Sequence, residues 1–308
     1  MKYTLIVTTK NEENSLQALL ESVAKQMILP DEMIFADAGS IDTTRSIIES
    51  FDGPFPIQLL SLASTANRSV GRNRAIEASQ TEHILITDAG CVLDPRWAKE
   101  ILNVFEQNKC EVVAGFYASE AQTIFEKCIA PYVLIMPDKL NLDTFLPATR
   151  SMGITKNMWS IMGGFDERYR YAEDYTFARK LQALHVSIGV AKDAVVYWRP
   201  RPTLQSFTRM IFEHAYGDAV AGNFRGKVCT IYLRYIILFI SLLLAFYKIY
   251  GRFLFVTLLC LYIAYSIAKN YRYVRHWKAF FYLPILQLSS DDAVMFGTFC
   301  GLCTRVAS

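Results

Sequence analysis

The stretch HILITDAGCVLDPRW, His83 to Trp97, decides how the rest of the chain is interpreted. It opens with an apolar run typical of a buried strand, and that run ends on Asp88. An acid directly after a buried strand is exposed at the edge of a sheet, where ligands bind. It suits a hard, oxygen-ligated cation such as Mg²⁺ or Mn²⁺. Gly90 stands two positions later, where such a site would normally have a second acid.

Strand-like and helical segments alternate along the first half of the chain. The strand-like runs are 3–9, 32–38, 57–62, 83–88 and 111–117, and the helical segments are 14–25, 42–51, 69–79 and 96–108. This alternation predicts an α/β fold with a parallel, doubly wound sheet. Polar residues cluster where three of the strands end, at Thr8 to Glu12, Asp37 to Ser40 and Asp88 to Gly90. The sequence therefore predicts a ligand site at that edge.

The composition limits the classes of partner. The net charge is only +3, from 32 basic and 29 acidic residues, so no overall field favours a nucleic acid. The seven cysteines are scattered and odd in number, which favours reduced thiols over a disulfide framework. The N-terminal apolar run is too short for a secretory signal, so no export signal is expected.

Hydrophobic residues become dense after Lys227, and this shift predicts two domains, 1–225 and 226–308. Two uncharged apolar runs, Tyr235–Tyr247 and Phe253–Ala268, are shorter than the roughly 20 residues that span a bilayer. Flanking basic side chains can snorkel and extend them, which predicts a helical hairpin at about 231–250 and 253–269. The alternative is a buried helical subdomain of a soluble protein.

The basic residues around the hairpin predict its orientation. Most lie at its two outer ends and fewer in its turn, so the positive-inside rule leaves the N-terminal domain in the cytoplasm. The expected location is therefore the cytoplasmic membrane, with the chain as an integral protein. The last segment, 279–304, contains Pro284, Asp291 and Asp292 and is interfacial, re-entrant or a third helix that uses Gly297 and Gly301.

Two further polar positions are candidates for ligand binding. Asp37 precedes Ala-Gly-Ser, and its carboxylate could accept hydrogen bonds from a base or a ribose, although such a turn is common by itself. Arg72, in SVGRNRA at a helix start, could bind phosphate in a bidentate manner or lie on a solvated face.

The segment GGFDERYRYAEDYTFARKL, 163–181, supplies a second pair of acids. Two glycines and an aromatic lead into a charged turn, and Glu173 and Asp174 then begin an amphipathic helix. Acids are favoured in a first helical turn by the helix dipole alone. Neighbouring carboxylates also suit a general base.

Together these segments resemble the family-2 glycosyltransferases, which are inverting enzymes of GT-A fold. The matching segments cover about 3–200 and occur in the family's order: VTTKNEENSLQALLESVAKQ, FADAGSIDTT, GRNRAIEAS, ILITDAGC, GGFDE and AEDYTFARKL. The resemblance implies a cytoplasmic GT-A domain with a mostly parallel, Rossmann-like sheet. It implies a nucleotide-diphosphate sugar as donor, and Mg²⁺ or Mn²⁺ as cofactor.

The resemblance also assigns roles to individual residues. Thr8, Glu12 and Asp37 would hold the nucleoside, Arg72 would approach the diphosphate, and Ala89 would contact the nucleotide sugar. Asp88 would be the metal-associated acid of the family's DxD motif. Asp174, beside Glu173, would be the base that deprotonates the acceptor hydroxyl, and Gly164 would lie near the diphosphate or the acceptor.

The sequence departs from the family pattern at two places. Gly90 replaces the second DxD acid, so we expect the ion to be held weakly without donor; His214 is a conceivable further ligand but more often a structural residue. The polymer-clamping Gln-x-x-Arg-Trp motif is incomplete, since no tryptophan follows Arg209. The expected enzyme is therefore non-processive, and its leaving diphosphate is neutralised by Arg199, Arg201 and Arg209.

The sequence predicts transfer of one sugar, with inversion, to a hydroxyl of a lipid-linked or glycan acceptor in cell-envelope glycan biosynthesis. No nucleic-acid partner is expected. Two alternatives stay open: a polyprenyl-phosphate glycosyl synthase, in which a phosphate oxygen attacks, and a non-catalytic membrane regulator that binds a nucleotide sugar. Residues 119–147 either line the approach of the acceptor or pack against the C-terminal helices.

Overall fold

A computed structural model gives the structure of residues 1–307. Its strands are β1 (Tyr3–Thr9), β2 (Glu32–Asp37), β3 (Ile57–Ser61), β4 (His83–Asp88), β5 (Cys91–Leu93), β6 (Val112–Ser119), β7 (Ser151–Thr155) and β8 (Ile188–Trp198). Its helices are α1 (Leu16–Ala24), α2 (Thr44–Ser50), α3 (Arg68–Ala78), α4 (Trp97–Asn108), α5 (Ile124–Val133), α6 (Lys156–Ile161), α7 (Glu173–Ala183), α8 (Leu204–Val220), α9 (Lys227–Tyr247), α10 (Ile249–Val274) and α11 (Ala279–Ala307). A 3₁₀ turn covers Pro137–Lys139.

The strands form one mixed sheet in the order β3-β2-β1-β4-β7-β6-β8-β5. The strands β3, β2, β1 and β4 are parallel, which confirms the α/β fold and the predicted strands at its centre. The strand β7 runs antiparallel to both β4 and β6, and β5 runs antiparallel to β8. These antiparallel pairings were not predicted.

The central strands are buried because helices cover both faces of a parallel sheet. In β1 the run Leu5 to Val7 is at most 1% exposed, and Ile84 to Ile86 in β4 are equally buried. Polar side chains can therefore reach a ligand only at the strand ends. The register places Thr8 opposite Asp88, so the ends of β1 and β4 meet at one edge.

The chain forms two compact units that divide after Arg199. The first contains residues 1–120 and 135–199, and the second contains α5 and the chain from residue 200 onward. We predicted the division after residue 225, but α8 belongs to the second unit because it packs along α11. The backbone carbonyl groups of Phe212 and Tyr216 in α8 lie against Gly297 and Gly301 of α11.

The helix α5 packs within the second unit as well. Its Tyr132 hydroxyl donates to the carbonyl oxygen of Leu283 at 3.1 Å, and Phe125 meets Tyr282 edge to face at 5.4 Å between ring centroids. Within residues 119–147, α5 therefore packs against the C-terminal helices, as the second of the two interpretations predicts.

Within residues 1–307, α9 and α10 are the helices long and apolar enough to cross a membrane. The core helix of a soluble protein would pass the same test but would be mostly buried, whereas 6% of the α9 window and 17% of the α10 window are buried. The predicted hairpin lies in these helices, although its break falls at Lys248 and not after residue 250. Gly251 allows this earlier start of α10, because its backbone lies against Leu244 of α9.

The last segment is one continuous helix, α11, and thus a third helix beside the hairpin. Its Asp291 is 2% exposed and accepts hydrogen bonds from Arg234, Tyr262 and Gln287 at 2.8–3.1 Å. This buried acid is therefore compensated by groups from α9, α10 and α11 itself.

The α8–α11 contact predicts the effect of adding one methyl group. A Cβ at Gly301 would lie 2.5 Å from the carbonyl oxygen of Tyr216 and 2.7 Å from the Cβ of Ala219. Gly301→Ala should therefore lower the free energy of unfolding by about 1–3 kcal/mol. Thermal unfolding in detergent measures this loss, with Gly226→Ala as control because nothing lies within 4 Å of that position. Equal melting temperatures for the two variants would contradict the close packing.

Candidate active site

The site is built around Arg72, which lies in the first turns of α3. Its Nη1 donates to Glu173 Oε1 at 2.7 Å, and its Nη2 lies 3.4 Å from Asp88 Oδ1. The Arg72 and Glu173 side chains are 3% and 5% exposed, whereas that of Asp88 is 36% exposed. One buried cation therefore joins the end of β4 to the start of α7 and leaves Asp88 accessible.

Electrostatics keep this arginine charged. Burial alone lowers the pKa of Arg72, but the carboxylates of Glu173, Asp88 and Asp174 outweigh that effect and raise the pKa above its ordinary value. Because the guanidinium also lies over the Phe165 ring, 5.6 Å from its centroid, its position is fixed by packing as well as by charge.

The approach of α3 to the sheet depends on Gly71. A Cβ at this position would lie 2.8 Å from Thr8 Cγ2, so a larger residue would push the helix away from β1. The helix begins at the Asn67 N-cap, whose side chain accepts from the Val70 N–H at 3.0 Å. The GRNRA segment therefore brings Arg72 to the strand ends through close backbone packing.

Asn73, next to Arg72, holds the turn that precedes α7. Its Oδ1 accepts from the Phe165 N–H at 2.9 Å and from Trp159 Nε1 at 3.2 Å. Its Nδ2 donates to the Phe165 carbonyl at 2.8 Å and to Glu167 at 3.0 Å. The sequence places this residue in the GRNRA segment but indicates no role for it. Asn73 is a positioning residue that fixes the turn to α3.

Gly164 is required in this turn for steric reasons. Its φ is +75°, and an added Cβ would lie 2.9 Å from Asn73 Oδ1. A cavity of about 350 Å³ lies beside the turn and is lined by Asn73, residues 163–167, Thr176, Phe177 and Lys180. The predicted contact of Gly164 with a diphosphate or acceptor stays a prediction.

The two acids of α7 have different surroundings. Glu173 is buried in the ion pair with Arg72, so we assign it a positioning role, although the sequence placed it with the catalytic pair. Asp174 is partly exposed, and its Oδ1 accepts from the Tyr175 N–H at 2.7 Å. Ala172, just before them, has a left-handed φ of +58°, a conformation that costs energy and persists where the fold enforces it.

Asp37 is fully buried and holds its own turn. It accepts hydrogen bonds from the Ser40 N–H at 3.0 Å, from the Ser40 hydroxyl and from the Thr9 hydroxyl at 3.2 Å. Arg45 lies 3.7 Å from its second oxygen. A nucleoside bound to Asp37, as predicted, would therefore share this carboxylate with the turn of residues 37–40, which it already stabilises.

Three other predicted nucleotide-sugar residues lie at or just after the ends of β1 and β4. Thr8 is half-buried opposite Asp88 and Ala36, and Ala89 is buried between Asp88 and Gly90. Glu12 is half-buried, and its carboxylate accepts from the Ser15 hydroxyl at 3.0 Å. Their contacts with a nucleoside or sugar stay predictions.

Arg150 is the residue that the sequence did not indicate. Its Nε lies 3.8 Å from Asp88 Oδ2, and its guanidinium packs over the Trp198 ring at 4.7 Å and the Tyr117 ring at 5.5 Å. It directly precedes β7, in no recognisable motif, and only the antiparallel pairing of β7 with β4 brings it to Asp88. Burial raises the pKa of Tyr117, and the charge of Arg150 opposes that rise.

The donor set fits a divalent cation poorly. Asp88 is one carboxylate between two guanidinium groups, and Gly90 contributes no side-chain ligand. Across residues 1–307 no group of three or more His, Cys, Asp or Glu side chains is arranged to hold a metal ion. The Mg²⁺ or Mn²⁺ expected from the sequence stays a prediction.

The remaining basic candidates lie at or after the end of β8. Arg199 is exposed and follows Trp198 in the first unit, whereas Arg201 and Arg209 belong to the second unit. Arg209 forms an ion pair with Glu213 at 3.0 Å on α8, where His214 is also exposed. The structure brings Arg72, Asp88 and Glu173 together, and the roles of these basic residues near a diphosphate stay predictions.

Two family models match the sequence. Glycosyl transferase family 2 matches residues 4–143, and Glycosyl transferase family group 2 matches residues 83–289. An uncharacterized glycosyltransferase from Haemophilus influenzae is 26% identical over 188 residues, which are 58% of this chain and 61% of that protein. The uncharacterized glycosyltransferase YfnE from Bacillus subtilis is 26% identical over 38% of this chain and 30% of its own length. The chain thus spans less than two thirds of both relatives.

Similarity extends further along two other proteins. The O-antigen chain rhamnosyltransferase RfbN from Salmonella typhimurium is 23% identical over 73% of this chain and 76% of its own length. The crystal structure of S. aureus TarS 1-349 in complex with UDP-GlcNAc has a TM-score of 0.53 and 17% identity, with 97% of this chain and 91% of that chain covered. At this identity the structural similarity shows the fold.

The buried ion pair predicts a strongly asymmetric mutational effect. Arg72→Met leaves Glu173 buried without its cation and should lower the free energy of unfolding by about 3–5 kcal/mol. The double variant Arg72→Met/Glu173→Leu should recover most of this loss, because no isolated charge remains. Chemical denaturation followed by tryptophan fluorescence measures both values. Arg74→Met, which breaks the exposed pair with Glu77, is the control and should cost at most about 1 kcal/mol.

The empty space at Gly90 predicts that a metal ligand can be added there. Nothing lies within 4 Å of a Cβ at this position, so Gly90→Asp restores the second DxD acid without steric cost. We expect Mn²⁺ to bind about 10-fold more tightly than to the wild type, because affinity rises with the number of charged ligands. Titration of free Mn²⁺ by electron paramagnetic resonance measures this change. Gly226→Asp makes the same charge change at another open glycine, and an equal gain there would contradict a site at Asp88.

Proposed function

The chain belongs to glycosyl transferase family 2, and we propose that it transfers a sugar from a nucleotide-diphosphate sugar to an acceptor hydroxyl with inversion. One observation carries this proposal. Arg72 neutralises and buries Glu173 at the start of α7, while the next residue, Asp174, keeps a partly exposed carboxylate. A carboxylate held this way is placed to act as a general base.

In the proposed reaction the acceptor hydroxyl loses its proton to a carboxylate oxygen of Asp174. The acceptor oxygen forms a bond to the anomeric carbon while the bond from that carbon to the diphosphate oxygen breaks. The electron pair of the broken bond stays on the diphosphate, and attack from the opposite face inverts the anomeric centre. Positioning and stabilisation of the leaving charge supply most of the rate gain.

The relatives support the classes of donor and acceptor. TarS 1-349 has been crystallised with UDP-GlcNAc and with UDP, and RfbN is an O-antigen chain rhamnosyltransferase. We therefore propose a nucleotide-sugar donor and a glycan or lipid-linked acceptor in the synthesis of a cell-envelope glycan. The incomplete Gln-x-x-Arg-Trp motif supports transfer of one sugar per encounter.

The helices of the second unit support a membrane location. Large apolar side chains of α9 and α10 are exposed, among them Leu233, Ile236, Phe239, Phe246, Phe253 and Leu261. A face of this size is stable in lipid, where apolar contact replaces water. Together with the positive-inside pattern, it supports an integral protein of the cytoplasmic membrane whose catalytic unit faces the cytoplasm.

The test is transfer and donor hydrolysis by full-length protein in detergent. UDP-, GDP- and dTDP-sugars are assayed with and without Mn²⁺, alone and with membrane glycolipid extract as acceptor. Asp174→Asn should reduce turnover by about 10²–10⁴-fold, because the base is lost, while donor binding changes little. Asp193→Asn removes an exposed acid on β8 and should leave turnover unchanged.

Other results would favour the alternatives. Turnover that persists in Asp174→Asn would indicate an acceptor phosphate, since a phosphate oxygen needs no strong base, and would favour a polyprenyl-phosphate glycosyl synthase. Donor binding without turnover of any donor, in wild type and variant alike, would favour a nucleotide-sugar-binding regulator.

A further inference from the structure

We propose that Arg150 binds the diphosphate of the donor and moves from Asp88 to the leaving group, supplying the positive charge that a second DxD acid would otherwise bring through a metal ion. This inference rests on the proposed function, because it names a residue for the same donor.

The backbone of Arg150 is fixed at the acid-bearing edge of the sheet. Its carbonyl oxygen accepts from the Thr87 hydroxyl at 2.9 Å, one residue before Asp88. Thr87 also pairs with Ser151 in the antiparallel β4–β7 ladder. The Arg150 side chain therefore extends from a backbone position beside the end of β4, at the edge of the sheet where a ligand would bind.

The side chain is mostly buried but lacks an acceptor that satisfies it. It is 20% exposed and packs on Trp198 and Tyr117. Across residues 1–307 its buried Nε finds no hydrogen-bond partner, and the nearest carboxylate oxygen, on Asp88, is 3.8 Å away. A buried donor left without a partner is costly, so an incoming phosphate oxygen at this position would satisfy it.

The charges distinguish Arg150 from Arg72. Arg72 is held by Glu173 at 2.7 Å and is almost fully buried, so moving it would strand a buried acid. Arg150 contacts Asp88 only at 3.8 Å, and Asp88 keeps Arg72 as a second partner at 3.4 Å. Arg150 is therefore the cation that an anionic ligand can take at the lower cost.

The chemistry of the leaving group suits a guanidinium. When the anomeric C–O bond breaks, its electron pair adds negative charge to the diphosphate oxygen. The planar fork of an arginine donates two hydrogen bonds to a phosphate and cannot lose its own proton. Arg150 would stabilise the product charge without transferring a proton.

The experiment measures binding and does not require turnover. Full-length protein in detergent is titrated by calorimetry with UDP, GDP and dTDP and with the matching monophosphates, once in EDTA and once with Mn²⁺. We expect a diphosphate to bind in EDTA and Arg150→Met to weaken it roughly 10- to 100-fold. The monophosphate should change little, and Arg150→Lys should fall between because it keeps the charge but loses the fork.

Two controls separate binding from folding. Arg74→Gln removes an exposed arginine of α3 and should leave binding unchanged. Methionine keeps an apolar stem against Trp198, so an unaltered melting temperature shows that Arg150→Met is folded. If that variant does not fold, Arg150→Lys decides, with several-fold weaker diphosphate binding expected.

The outcomes distinguish this inference from the proposed function. Diphosphate binding that requires Mn²⁺ and is equal in wild type, Arg150→Met and Arg150→Lys would overturn the inference and leave a metal-dependent transferase. Absence of binding by every nucleoside diphosphate in both buffers would overturn the proposed donor class itself.

Discussion

The buried ion pair between Arg72 and Glu173 is the interaction on which the rest of the site depends. It joins α3 to α7 across 101 residues of sequence and also brings a guanidinium against Asp88 at the end of β4. A buried charge is tolerated only with a well-placed partner, so the pair fixes three elements at once. Asp174 is held in position because Glu173, the residue before it, is fixed by this ion pair.

Much of the fold could be predicted because its signals are local. Apolar runs that end in polar turns predict β1, β2, β3, β4 and β6. The spacing of apolar residues predicts the helices between them. The strand β7 and the unit boundary could not be predicted in this way, since they depend on pairing between distant segments. The helix α8 belongs to the second unit because it packs against glycines of α11. Its own composition, with several charged residues, resembles that of the first unit, so the sequence alone places it there.

The candidate site shows the same difference between local sequence signals and contacts between distant segments. Asp88, Arg72, Glu173 and Asp174 lie in motifs, and the structure brings the first three into contact. The sequence does not distinguish Glu173 from Asp174. The two acids differ in burial, and burial is a property of the packed protein. Asn73 and Arg150 gain their importance only from neighbours about 90 and 60 residues away in sequence, as the contacts with Phe165 and Asp88 show.

The two arginines give the site a rigid half and an adjustable half. The contact of Arg72 with Glu173 is short and shielded from water, so breaking it would leave a buried charge without its partner. The contact of Arg150 with Asp88 is longer and borders a carboxylate that solvent reaches, so its energy is small and an anion can compete for it. In the proposed reaction the base has to stay in place while negative charge grows on the leaving group. Gly90 leaves the space beside Asp88 open. In the proposed reaction, Arg72 and Arg150 meet these two requirements with charges that the chain itself supplies.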